Sequence, residues 1–229
     1  MIEYGTYHDL TERWKALRGT RDIRVREVAC IGAPRTLLCV EAGDYTSPLI
    51  TISAGVHGDE PAGPLALVRA VEGDRLDLRF SYRLWACTNP TGFDARTRES
   101  IDGIDINRTF GRGGQSPEAK AMVMANRDFK FELAIDLHED CDARAFYCYA
   151  YHASDVAARV IAVTGGEALA PDPQREAEEL GGLSLSLLLV RNAAARVLTF
   201  ETPGSQPLDV RIATHVRALE AAIEAVASL

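Results

Sequence analysis

The stretch Pro48-Leu49-Ile50-Thr51-Ile52-Ser53-Ala54-Gly55-Val56-His57-Gly58-Asp59-Glu60 decides how the rest of this 229-residue chain is read. Its unbroken apolar and β-branched run, bounded by turn formers, predicts a buried strand over Leu49–Ala54. A strand that ends in Gly-x-His-Gly presents its next side chains at the carboxyl edge of the sheet, where open α/β folds bind their ligands. His57 and Glu60 stand three residues apart there, and a second metal-competent histidine follows at His138. Two imidazoles and one carboxylate form a standard ligand set for catalytic zinc, with a fourth position left open. The stretch therefore points to a metal-dependent hydrolase.

Working outward, residues 6–18 carry Leu10, Trp14 and Leu17 at helical spacing. Ile23–Ile31 and Thr36–Glu41, separated by Gly32-Ala33-Pro34, read as a hairpin. Pro61–Val71 reads as a helix after the buried strand, and Arg79–Thr88 as a strand leading into a turn at Asn89-Pro90-Thr91-Gly92. Residues 93–116 form a long Gly/Asp/Arg-rich connection, a length usually reserved for function. Pro117–Phe129 predicts a helix capped by Ser116. Strands are predicted at Glu132–Leu137 (ending in His138), Ala145–Tyr151, Leu185–Val190 and Arg196–Phe200. Helix is predicted at Ala153–Gly165, near Glu176–Glu179, and at Thr214–Ser228. Strands alternating with helices define an α/β fold, a single domain over 1–229 with a mixed parallel/antiparallel central sheet and helices on both faces.

Composition narrows the function classes. The 47% hydrophobic content suits a soluble globular protein, and a net charge of −8 argues against a nucleic-acid partner. The longest apolar run, Leu183–Val190, is too short to span a bilayer, and no basic-then-apolar leader opens the chain. Five cysteines without a Cys-x-x-Cys read as buried reduced thiols, which implies a cytoplasmic location. No Gly-x-Ser-x-Gly elbow, P-loop or dinucleotide fingerprint occurs.

Three groups of candidates end three separate strands: His57 with Glu60, His138, and Glu201. A rigid sheet edge is a sound frame for such a site. Ligating imidazoles usually donate their second N–H to a carboxylate, and Asp105 and Asp136 are the candidates. Asp136 precedes His138 by two, so both face one side of a strand.

His57-Gly58-Asp59-Glu60, then Arg98 and Gly103-Ile104-Asp105-Ile106-Asn107-Arg108, then Asp136-Leu137-His138, then Phe200-Glu201-Thr202-Pro203, resembles the zinc carboxypeptidase family, peptidase family M14. The likeness covers roughly residues 48–215 and is nearest the short bacterial members such as murein-peptide amidases. More distantly it extends to the aspartoacylase and succinylglutamate desuccinylase branch. The resemblance implies one zinc ion per chain held by His57, Glu60 and His138, with Asp105 orienting the first ligand histidine. It implies Glu201 as general base and Arg98 as the group that stabilises the oxyanion. It implies Asn107 and Arg108 as the pair that grips a substrate carboxylate. The expected reaction is hydrolysis of an amide bond next to a free carboxylate in a small peptide. An N-acyl amino acid deacylase and a metal-binding protein with a vestigial site are the alternatives. Oligomeric state is not legible.

Two departures from the full-length family members stand out. No tyrosine occurs in residues 176–190, where those members carry a mobile one before the general base. Tyr147, Tyr149 and Tyr151 lie far upstream and read as strand aromatics. Several residues keep a second reading: Glu139 or Asp140 as a ligand, Asp59 as a helix N-terminal charge, Asp105 as a turn former, Arg98 in a surface ion pair, and Arg112 in anion binding or simply solvated.

Overall fold

The computed structural model describes residues 4–20, 22–111, 114–192 and 194–229, so Arg112 lies outside the described residues. Its strands are β1 (Arg24–Val28), β2 (Leu37–Ala42), β3 (Leu49–Ala54), β4 (Ser81–Trp85), β5 (Phe131–Asp140), β6 (Tyr147–Tyr151), β7 (Glu167–Leu169) and β8 (Ala194–Pro203). They form one sheet in the order β1-β2-β4-β3-β5-β8-β6-β7. The centre is parallel: β3 pairs with β4 and β5, and β5 with β8. β1, β2 and β4 meet antiparallel on one side, as do β8 and β6 on the other. This is the mixed α/β sheet expected.

The helices are α1 (Tyr7–Ala16), α2 (Ala62–Glu72), α3 (Pro90–Ala95), α4 (Pro117–Asn126), α5 (Ser154–Thr164), α6 (Pro173–Glu179), α7 (Leu185–Asn192) and α8 (Leu208–Ala227). α1 starts on a capping box: the Thr6 hydroxyl accepts from Asp9 N–H while the Asp9 carboxylate accepts from Thr6 N–H at 2.7 Å. α1, α2, α5 and α8 share one core with Ile50, Ile52, Leu133, Ile135, Leu198 and Phe200. α4 and α7 cover the other face, over Trp85, Ala134 and Val197. Because strand side chains alternate, Ser53, Asp136, His138, Thr199 and Glu201 all belong to this second face. Near the carboxyl edge, then, one face of the sheet turns from apolar to polar.

Two expectations fail for physical reasons. Asn89-Pro90 opens α3 and is not a turn. The Asn89 side chain accepts from Gly92 N–H at 2.8 Å, and Pro90 occupies the first helical position, where its missing N–H costs nothing. Leu185–Val190 is helix α7 and not a strand. β8 already has β5 on one side and β6 on the other, so no edge remains for it to join. The run covers the sheet instead, with Leu185, Leu187 and Leu189 buried. Two further differences concern extent: β5 and β8 run on past His138 and Glu201, and α8 starts at Leu208, ahead of the expected Thr214. β7 was not anticipated. Four cysteines are buried and free as expected, while Cys141 is free and exposed.

Candidate metal centre

β3 ends at Ala54, and the loop to α2 carries His57 and Glu60. Gly58 lets this loop lie directly on α3: a Cβ there would stand 1.9 Å from the Gly92 carbonyl carbon. His57 Nδ1 lies 2.6 Å from Glu60 Oε1, and His138 Nδ1 lies 3.0 Å from Glu60 Oε2. All three residues are buried, their ligand atoms fall within 4.8 Å of one another, and the two imidazole rings are 4.9 Å apart. Both histidines thus aim the same nitrogen at one point.

A carboxylate faces each of the opposite ring nitrogens. His138 Nε2 lies 3.1 Å from Asp136 Oδ2, and the Ser53 hydroxyl donates to Asp136 Oδ1 at 2.6 Å. His57 Nε2 faces Asp105 Oδ1 at 3.5 Å. Asp105 also accepts from Asn107 N–H at 2.9 Å and takes the fork of Arg98 at 3.1 and 3.2 Å. The remaining Arg98 nitrogen, Nη1, is 3.3 Å from His57 Nδ1. Arg98 is therefore ion-paired, but to Asp105 inside the site and not to its sequence neighbours.

The electrostatics fit a cation. Burial works to raise the Glu60 carboxyl, yet the two histidines outweigh it and hold it at about 2. Burial works to lower both imidazoles, yet Asp105 and Glu60 raise His57, and Asp136 and Glu60 raise His138. Without a metal the site draws protons to where a cation would go. Donor atoms, spacing and charge all match a divalent ion such as zinc.

Glu201 faces His138 directly across the β5–β8 ladder, on the cavity floor. Burial pushes its carboxyl up, with Glu60 and Asp140 adding to this and His138 opposing, to about 8. A cation bound alongside would pull that value back down. Asn107 and Arg108 belong to a single turn of 3-10 helix, Ile106–Arg108, and line the same cavity. The Asn107 side-chain oxygen is spent on the first turn of α7, accepting from Leu185 N–H at 3.0 Å. Its amide nitrogen donates to no group among the described residues.

Neither Glu139 nor Asp140 joins the ligand set. Glu139 is buried, accepts from Ala62 N–H at 2.6 Å at the start of α2, and pairs closely with Arg211 of α8. Its own N–H donates to Glu60 Oε2 at 3.0 Å, so this pair steadies Glu60. Asp140 accepts from the Tyr147 hydroxyl at 2.8 Å. Asp59 is an exposed neighbour on the rim. His215 of α8 is fully buried behind the strands, beside the Thr202 hydroxyl at 3.2 Å, and burial pushes it down to about 3.

The cavity encloses about 940 Å³. Tyr147, Tyr149 and Tyr151 all line it, as does α6, none of which sequence reasoning placed there. Their spacing of two did announce a shared strand face; which face could not be read.

The sequence matches the profile of the succinylglutamate desuccinylase/aspartoacylase catalytic domain over residues 47–227. The chain belongs to that family. Within the carboxypeptidase resemblance, it is this branch whose profile fits. No curated protein sequence matches the chain. Solved structures of metallopeptidases and carboxypeptidases share the fold. A candidate metallopeptidase of Shewanella denitrificans OS217 superposes with a TM-score of 0.76 at 20% identity, over 97% of this chain and 90% of that one. A metallo-carboxypeptidase from Burkholderia cenocepacia gives 0.73 at 15% identity, over 95% and 68%. Bovine thrombin-activatable fibrinolysis inhibitor gives 0.72 at 15% identity, over 98% of each chain. The family and its neighbours are metallohydrolases of the carboxypeptidase type, which implies a metal. Among the described residues, no helix is long and apolar enough to cross a membrane.

Proposed function

We propose that this protein is a zinc-dependent hydrolase that cleaves an amide bond in a small substrate bearing a free carboxylate. The convergence of His57, Glu60 and His138 beside Glu201 on one cavity floor carries the reading. The family match favours an N-acyl amino acid over a peptide. Zinc at this ligand set supplies Lewis acidity and a water acidified to near neutrality.

The chain's own residues would do the rest. Glu201 takes the proton of the attacking water and returns it to the leaving nitrogen. Arg98, fixed by Asp105, donates toward the oxygen on which negative charge gathers, where binding lowers the barrier. The Asn107 amide nitrogen and the Arg108 guanidinium hold the substrate carboxylate next to the scissile bond. Asp136 and Asp105 keep His138 and His57 oriented with their Nδ1 lone pairs inward.

The test is zinc content by elemental analysis of wild type and His138→Ala, followed by hydrolysis of short peptides and N-acyl amino acids. About one zinc per wild-type chain, absent from the variant, together with metal-dependent release of an amino acid, is expected. No zinc in either protein after incubation with the metal would leave a vestigial binding protein as the reading.

A further inference from the structure

Most cations lining the cavity are already answered by carboxylates. Arg98 forks Asp105, Arg211 pairs with Glu139, and Arg175 pairs with Glu179 at 2.7 Å. Arg108 is different. Its Nη1 donates to the backbone oxygen of Asn107 at 3.2 Å, and it has no ion-pair partner among the described residues.

Several lining carboxylates form no ion pair among the described residues, Asp59, Asp140, Asp172, Glu176 and Glu201 among them, and of these Glu176 is the one on which the charge of Arg108 acts. Glu176 of α6 accepts from the Tyr151 hydroxyl at 2.6 Å through Oε2, and it too forms no ion pair among the described residues. Burial pushes its carboxyl above the usual range, opposed first by the Tyr151 hydrogen bond and then by the charge of Arg108. Arg108 and Glu176 thus line one cavity without closing into a salt bridge. A partly desolvated carboxylate fixed by a tyrosine, with one oxygen free, is a receptor for a cation. A ligand that satisfied both groups would carry a carboxylate at one end and a positive charge at the other.

We propose that Glu176, fixed by Tyr151, determines specificity: the amino acid released from this cavity has a cationic side chain. Its carboxylate lies on Arg108 and its ammonium or guanidinium on Glu176. The inference rests on the hydrolase reading above and sharpens it. It also departs from the glutamate in the family's name, because an acidic side chain would place a second carboxylate against Glu176.

The experiment measures binding of L-lysine, L-arginine, L-leucine and L-glutamate to the zinc-loaded full chain by calorimetry. kcat/KM for the four N-acetyl derivatives is measured alongside. Lysine and arginine are expected to bind at least about tenfold tighter than leucine or glutamate, the size of one charge-assisted hydrogen bond. Glu176→Gln should erase that preference, mostly in KM, and Glu176→Lys should turn it toward glutamate. No residue of α6 is fully buried, so these variants should fold. Leucine or glutamate binding as tightly as lysine, or a preference that survives Glu176→Gln, overturns the inference and leaves the hydrolase reading intact. No binding of any amino acid and no hydrolysis of any derivative overturns both.

Discussion

Replacing Asp136 by asparagine isolates what its charge does for the site. Asp136 is 1% exposed, with one oxygen 3.1 Å from His138 Nε2 and the other receiving the Ser53 hydroxyl at 2.6 Å. Asparagine has the same shape. Its oxygen can accept from His138 while its nitrogen faces Ser53, whose hydroxyl can turn to the Ile135 carbonyl 3.4 Å away. Packing and orientation therefore survive, and the negative charge behind the imidazole is what goes. Losing such a partner lowers metal affinity roughly 10- to 100-fold, or about 1.4–2.7 kcal/mol. At fixed free zinc, the thermal stabilisation given by the metal should shrink by a similar amount. A zinc titration against a competing chelator, with melting curves of zinc-free and zinc-loaded protein, measures both. A folded variant that binds zinc within twofold of wild type would refute the idea that Asp136 tunes His138.

Three further outcomes follow from the same geometry. Glu201→Gln should keep zinc yet lose turnover by roughly 10²- to 10⁴-fold, because the acid–base group is gone while the ligands remain; near-normal kcat would remove Glu201 from its role. Zinc competes with protons for His57 and His138, both raised above the ordinary 6.5, so affinity should begin to fall above pH 6.5 as the solution is acidified. In the zinc-free protein the sign reverses: protonation of these histidines contributes stability that is fully present below about 6.5 and is lost as pH rises through their raised folded values, while Glu60, depressed to about 2, contributes stability present above about 4.5 and lost as pH falls toward 2. Melting temperature against pH, with and without zinc, checks both signs. Gly58→Ala, whose Cβ would meet the Gly92 carbonyl carbon at 1.9 Å, should cost at least about 1–3 kcal/mol in denaturant melts and weaken zinc binding by displacing His57.

Legibility varied with the kind of signal. β3 emerged at its predicted bounds because a short β-branched run between a proline and a glycine has few alternatives. Leu185–Val190 had the same apolar character and became a helix, since strand or helix there depended on whether β8 had a free edge. Asp136 and His138 share a strand face through spacing alone, and the structure joins them at 3.1 Å. Glu139 follows His138 directly yet is no ligand, because its partners Ala62 and Arg211 come from α2 and α8, 77 and 72 residues away.

The sequence by itself determined the α/β class and the residue types competent to hold a metal, because alternation, turn chemistry and ligand identity are local properties. It also placed His57 and Glu60 just beyond the end of β3. Tertiary structure alone decided that His57, Glu60 and His138 meet within 4.8 Å, that Tyr151 fixes Glu176, and that Arg108 has no counter-ion among the described residues. Those facts depend on parallel strands far apart in sequence lying side by side, with α6 and α7 folded over one face, and no spacing along the chain encodes which charges then remain unpaired.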